Sequence, residues 1–212
     1  MIITISREFA AGGSEIARLV AETLGWTLVD NQLVEEVAAR AGLTPDEVAA
    51  REERAPGFVE RVARALAIST PEYVVPDAAG IPDLSEAALV KLTETVVAEI
   101  AAAGSVVMVG RAAPALLAAS PAALHVRLVA PLEARVRRAT ERLGVDEAEA
   151  RQVVARSDEN RARYHRQYYD RDWADPHNYH LTLNTDALGY EGSAAVIVGR
   201  VKSLPRPRSD QG

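Results

Sequence analysis

The chain has 212 residues, a formal net charge of −6 and no cysteine. The missing thiols exclude disulfides, thiol catalysis and cysteine-held metals, and the acidic balance argues against a general nucleic-acid surface. At 48% hydrophobic residues it can bury a sizeable core, yet no apolar run reaches transmembrane length.

The first residues set the frame. Met1 to Ile5 is apolar and β-branched with no polar alternation, which predicts a strand buried on both faces. It reads as a strand rather than a signal peptide, and cytoplasm is the default location. Ser6 to Glu15 follows with small residues and the pair Gly12-Gly13, and then Ile16, Leu19, Val20 and Leu24 recur at helical spacing before Gly25. Strand, glycine-rich loop and helix together aim backbone N–H groups at an anion. Against the phosphate-loop pattern G-x-x-x-x-G-K-[ST], Gly12 stands at the second glycine and Ser14 at the hydroxyl position. Arg7 takes the place of the first glycine, and Gly13 that of the lysine. The competing reading is a tight turn whose small residues permit close packing.

Trp26 to Val29 predicts a second strand. Asp30 ends it on the edge where ligands bind in open α/β sheets, and it also suits the cap of a following helix. Residues 31–83 contain helical pieces and then a proline-rich loop, which predicts a helical substrate-side insertion. A long helix over 86–103 leads to a third buried strand at 105–109, followed by Gly110-Arg111. An arginine at that edge can offer its planar fork to phosphate; the bland alternative is a surface ion pair.

Residues 123–129 predict a fourth strand, with His125 and Arg127 as partly buried or edge positions. The segment 132–171 is the most basic part of the chain. Arg135, Arg137, Arg138 and Arg142 lie on one helix, and Arg151, Arg156, Arg161, Arg163 and Arg166 on the next. Many can pair with nearby acids at helical spacing, and together they suit a lid that closes over phosphates. A fifth strand at 180–184 and a last helix at 189–202 complete a three-layer α/β domain over 1–204 with a five-stranded parallel sheet. Residues 205–212 read as a disordered tail.

These stretches resemble the cytidylate kinase-like family, a branch of the P-loop nucleoside monophosphate kinases. The residues carrying the resemblance are Ile3 to Phe9 with Gly12 to Ala17; Asp30; Val109-Gly110-Arg111; Arg135 with Arg138; Ser157 to Arg161; and Asp175-Pro176 through Tyr179 to Thr185. The resemblance implies ATP-dependent phosphoryl transfer to a nucleoside monophosphate, CMP or dCMP first. It implies ATP phosphates on the loop residues Ser6, Arg7, Ala11, Gly12, Gly13, Ser14 and Glu15, with Ser14 on Mg2+. The acceptor would meet Asp30, Arg111 and Arg161 or Arg163, while Arg135 and Arg138 close as lid arginines. Gly13 in place of the lysine and Ala112 in place of an acid depart from the family pattern, and Arg7 or Arg138 is the candidate replacement cation. The alternatives are a nucleotide-binding module with little catalysis and a small-molecule kinase with a non-nucleotide acceptor. No nucleic-acid or membrane partner is expected, and oligomeric state stays open.

Overall fold

The computed structural model describes residues 1–30, 94, 97–110 and 112–203. The insertion and loop expected over 31–83, Arg111 and the tail at 205–212 lie outside them.

Strand β1 (Ile2–Arg7) leads through the loop to α1 (Gly13–Leu24) and β2 (Thr27–Val29). A helical segment over 97–103 precedes β3 (Val106–Val109), which is followed by the short α2 (Ala113–Leu116). Then come β4 (Ala123–Val129), α3 (Leu132–Leu143), α4 (Glu147–Tyr169), a 3-10 turn at Pro176–Asn178, β5 (Leu181–Asn184) and α5 (Thr185–Lys202). The sheet order is β2-β3-β1-β4-β5, and every pairing is parallel. Ligands in such sheets bind beyond the strands' carboxyl ends, and that is where β1 delivers the glycine-rich loop.

Strand parity gives the two faces different chemistry. Ile3, Ile5, Val107, Val109, Leu124, Val126 and Leu128 face Ile16 and Val20 of α1 and Ile197 and Val198 of α5 in one apolar core. The opposite face begins apolar at Ile2, Val106 and Ala123, packed on Val97. It turns polar toward the carboxyl edge: Thr4 stands opposite His125 and Ser6 opposite Arg127 in the register of β1 and β4. All four are buried, so each needs a partner. Thr4 Oγ1 lies 2.7 Å from His125 Nδ1. The Trp173 indole donates to Ser6 Oγ at 2.8 Å. Arg127 donates to the Trp173 carbonyl at 2.5 Å and stacks over its ring.

Two sequence expectations need correction. His125 and Arg127 are not edge positions, because β4 lies between β1 and β5. The last helix begins at Thr185 rather than Gly189, since the Asn184 side chain caps it by accepting from the Asp186 and Ala187 amides. Gly189 instead kinks it, at φ 69°.

The buried polar layer predicts an acid-sensitive fold. Burial, with His180 and Arg171 nearby, lowers the His125 pKa to about 4; burial, with Arg127 and Arg171 nearby, does the same for His165. A histidine whose folded pKa lies below its unfolded value of 6.5 is stabilising when neutral, and that stability is lost as pH falls from about 6.5 toward 4. Each can contribute up to about 3 kcal/mol. Urea midpoints should therefore fall between about pH 7 and 5, a decline that His125→Asn with His165→Asn removes. A flat wild-type profile would contradict this account.

Candidate functional site

The loop after β1 is built to present amides. Ala10 and Gly12 both adopt left-handed backbone conformations, at φ 59° and 79°. Gly12 is the N-cap of α1 and supplies no side-chain cap. Ala11 N–H donates back to the Glu8 carbonyl at 3.2 Å, and Ile16 N–H to the Gly12 carbonyl at 3.0 Å. Among the described residues nothing accepts from the amides of Gly12, Gly13, Ser14 and Glu15. A run of unbonded amides through a left-handed turn at a helix N-terminus suits an anion, although Gly12 and Gly13 themselves are buried. Ser14 and Glu15 are exposed there.

The loop is braced from outside by two acids. The Glu8 carboxylate accepts from the Ala130 amide at 3.2 Å and lies 3.3 Å from Arg135 Nε and 3.6 Å from Arg127 Nη2. Asp158, on α4, accepts from the Phe9 amide at 2.8 Å and from Arg135 Nη1 at 2.5 Å. Phe9 and Ala10 pack on the small core that joins α3 to α4, made of Val136, Ala139, Ala150 and Val154.

The expected site residues separate into groups. Arg135 and Arg138, one turn apart on α3, both reach the loop. Arg135 is buried and donates to the Ala130 and Phe9 carbonyls at 2.9 and 3.4 Å. With Glu8 and Asp158 beside it, it braces the loop and turns its guanidinium away from solvent. Arg138 donates to the Ala10 carbonyl at 3.5 Å, Thr185 Oγ1 at 3.3 Å and Asp186 Oδ1 at 3.1 Å, and lies over the Tyr190 ring. Arg161 donates to the Arg7 carbonyl at 3.0 Å and sits 3.5 Å from Asp158. Arg163 is on the outer side of α4, bonded to Asn160 Oδ1 at 2.7 Å. Asp30 is half-buried just past β2. Ser6 is held by Trp173 and by Tyr179 Oη, 3.4 Å away.

Sequence reasoning gave no role to Glu8, Asp158 or Tyr190. Glu8 and Asp158 each fall within stretches that carried the resemblance, but their partners are distant in sequence. The signal for Tyr190 was an aromatic directly after Gly189, shortly past the last strand.

The unbonded loop amides suit a phosphate chain. Among the described residues no group of three His, Asp or Glu side chains gathers as a metal site. The exposed Ser14 hydroxyl is the kind of single ligand that a magnesium ion carried by nucleotide phosphates and water uses. Among the described residues, too, no helix is long and apolar enough to cross a membrane.

Solved structures share this architecture. An uncharacterized protein from Eubacterium ventriosum superimposes with a TM-score of 0.69 at 21% identity, covering 96% of this chain and 99% of its own. Shikimate kinase from Bacteroides thetaiotaomicron gives 0.56 at 15% identity, over 95% of this chain and 98% of its own. Shikimate kinase from Acinetobacter baumannii, solved in complex with shikimate, gives 0.53 at 16%, over 95% and 93%. At such identities the likeness is one of fold, a P-loop kinase type. A uronate isomerase from Corynebacterium glutamicum is 32% identical over 92 residues, 43% of this chain, which spans only 18% of that relative's length. The model of the cytidylate kinase-like family matches residues 2–187, which hold all five described strands and the loop, and the chain belongs to that family.

Proposed function

We propose that this protein transfers the γ-phosphoryl group of ATP to a small phosphate-bearing acceptor, with CMP and dCMP the first to test. The observation that carries the reading is the amide cradle at the carboxyl edge of the parallel sheet, strained at Ala10 and braced by Glu8 and Asp158. A non-glycine residue held at positive φ is unfavourable, and such strain gathers where a chain must hold a functional geometry. Ala112, beside the expected acceptor arginine Arg111, is strained in the same way, at φ 51°. Phosphoryl transfer asks little covalent chemistry of a protein and mostly needs positioning and charge neutralisation. The loop amides would hold the donor phosphates, Ser14 would meet magnesium, and Arg111 with Asp30 would face the acceptor. Arg138 borders the donor side. Arg161, pinned to the Arg7 carbonyl, links α4 to that loop.

The test is ADP formation with magnesium and ATP across CMP, dCMP, UMP, AMP and GMP, with an acceptor-free control. Shikimate belongs in the panel because the same fold serves shikimate kinases. Acceptor-dependent turnover with CMP or dCMP is the expected result. Turnover with shikimate alone would move the acceptor outside nucleotides. Folded protein that binds ATP calorimetrically without any turnover would make it a binding module, the reading favoured by the glycine at the lysine position.

A further inference from the structure

We propose that Arg7 is the catalytic cation of the phosphate loop, reaching from strand β1 into the place that a lysine at position 13 would otherwise fill, and extending to the acceptor edge at Gly110. This rests on the phosphoryl-transfer reading, and it decides between the two arginines that the sequence left open.

Two glycines distant in sequence touch one side chain. A Cβ on Gly13 would stand 2.6 Å from Arg7 Cγ, 3.1 Å from Cδ and 3.2 Å from its Cβ. A Cβ on Gly110 would overlap Arg7 Nη1 and stand 3.2 Å from Cζ. The stem of Arg7 therefore crosses Gly13 at the first residue of α1, and the guanidinium emerges at Gly110, past the end of β3. The backbone fixes this course at both ends: the Arg7 carbonyl accepts from Arg161, and the Gly110 amide donates to the Ile5 carbonyl at 2.9 Å. The charge thus sits between the donor amides and the strand end that carries Arg111. Arg138 lies elsewhere, against Asp186, Thr185 and the Tyr190 ring.

Gly13, on this account, is the other half of the exchange. Position 13 is not among the positive-φ glycines, so its backbone accepts a side chain, and what excludes one is the Arg7 stem. In the transfer step the bond from the γ-phosphorus to the β–γ bridging oxygen breaks, and a bond to an acceptor oxygen forms. The electron pair stays on the β-phosphate of ADP. A phosphate acceptor has no proton to lose. Arg7 keeps its proton throughout and spreads its charge over the oxygens on which negative charge develops, with two N–H edges where a lysine offers a point.

The experiment compares wild type, Arg7→Ala, Arg7→Lys and Arg7→Ala with Gly13→Lys, each checked for folding by circular dichroism. Two readouts are taken: ADP formation with the acceptor found in the panel, and calorimetric binding of tripolyphosphate. Arg7→Ala should lower kcat about 100-fold or more, and the double variant should regain at least about 10-fold of that by restoring a lysine to the loop. Arg7→Lys, which keeps the stem, serves if alanine fails to fold, and should lose the two-edged contact and about 10-fold in rate. Arg7→Ala within about 3-fold of wild type, or a folded double variant no better than Arg7→Ala, would overturn the proposal while leaving the kinase reading intact. If wild type turns over no acceptor, the kinase reading fails by itself. Tripolyphosphate affinity then decides for Arg7: a loss of about 10-fold or more in Arg7→Ala keeps it as the loop's anion-binding cation, and unchanged affinity removes it.

Discussion

Asp158→Ala should lower the unfolding free energy by about 3 kcal/mol and loosen the phosphate loop with it. Asp158 accepts from two segments, the Phe9 amide at 2.8 Å and Arg135 Nη1 at 2.5 Å, and pairs with the Arg161 guanidinium 3.5 Å away. The Arg135 side chain is only 9% exposed and that of Asp158 only 20%, so water restores little when the carboxylate is removed. Alanine would leave a buried guanidinium with Glu8 as its remaining acid, and would leave the Phe9 amide without its acceptor. Removing one partner of a buried pair is far more damaging than losing a surface bridge. Asp158→Asn separates the two contributions. Its amide oxygen can still accept from Phe9, so part of the loss should return while the charge remains absent. Urea denaturation gives the stability, and tripolyphosphate binding reports the loop. A loss below about 1 kcal/mol for alanine would place Asp158 with ordinary surface pairs.

How much of this was legible in the sequence follows from where each signal is local. β1 and β3 are apolar β-branched runs, β4 alternates apolar residues with His125 and Arg127, and α1 is punctuated by Gly12-Gly13 and Gly25, so the parallel sheet and the glycine turn could be read from short windows. The bracing could not. Glu8, Arg135 and Asp158 meet across the fold, and nothing local separates Asp158 from the neighbouring acids of α4 that pair on its surface, such as Glu147 with Arg151. Arg135 and Arg163 looked alike as helix arginines, yet one is buried against two carboxylates and the other is exposed. Gly13 read as a missing lysine. Its contact with Arg7 gives it a packing reason that sequence spacing does not encode. The polar face of β1 and β4 was also obscured, because Thr4 and Ser6 sit among isoleucines and their partners His125 and Arg127 lie some 120 positions away, Thr4 and His125 being separated by 121.

Gly12→Ala should be the most damaging small substitution in the loop, for two separable reasons. At φ 79° an alanine at position 12 is held in the left-handed region, which costs about 1–2 kcal/mol. Its Cβ would also overlap the Tyr190 ring at Cε1 and stand 2.8 Å from Cζ and 2.9 Å from Cδ1. Crowding of that kind adds about 1–3 kcal/mol unless the neighbour moves. Tyr190 has limited freedom to do so, because its ring lies beneath the Arg138 guanidinium, itself tied to Asp186, and follows the Gly189 kink. Gly12→Ala should therefore lose about 2–4 kcal/mol of stability and most of its affinity for tripolyphosphate. Adding Tyr190→Ala removes the overlap but not the backbone strain. Relative to Tyr190→Ala alone, the double variant should lose only the conformational part, about 1–2 kcal/mol. If Gly12→Ala is as harmful with Tyr190 absent as with it present, the ring is not what confines this turn, and the backbone conformation alone requires glycine there. If Gly12→Ala is harmless in both backgrounds, the left-handed turn does not hold the cradle, and the amide geometry on which the functional reading rests is wrong.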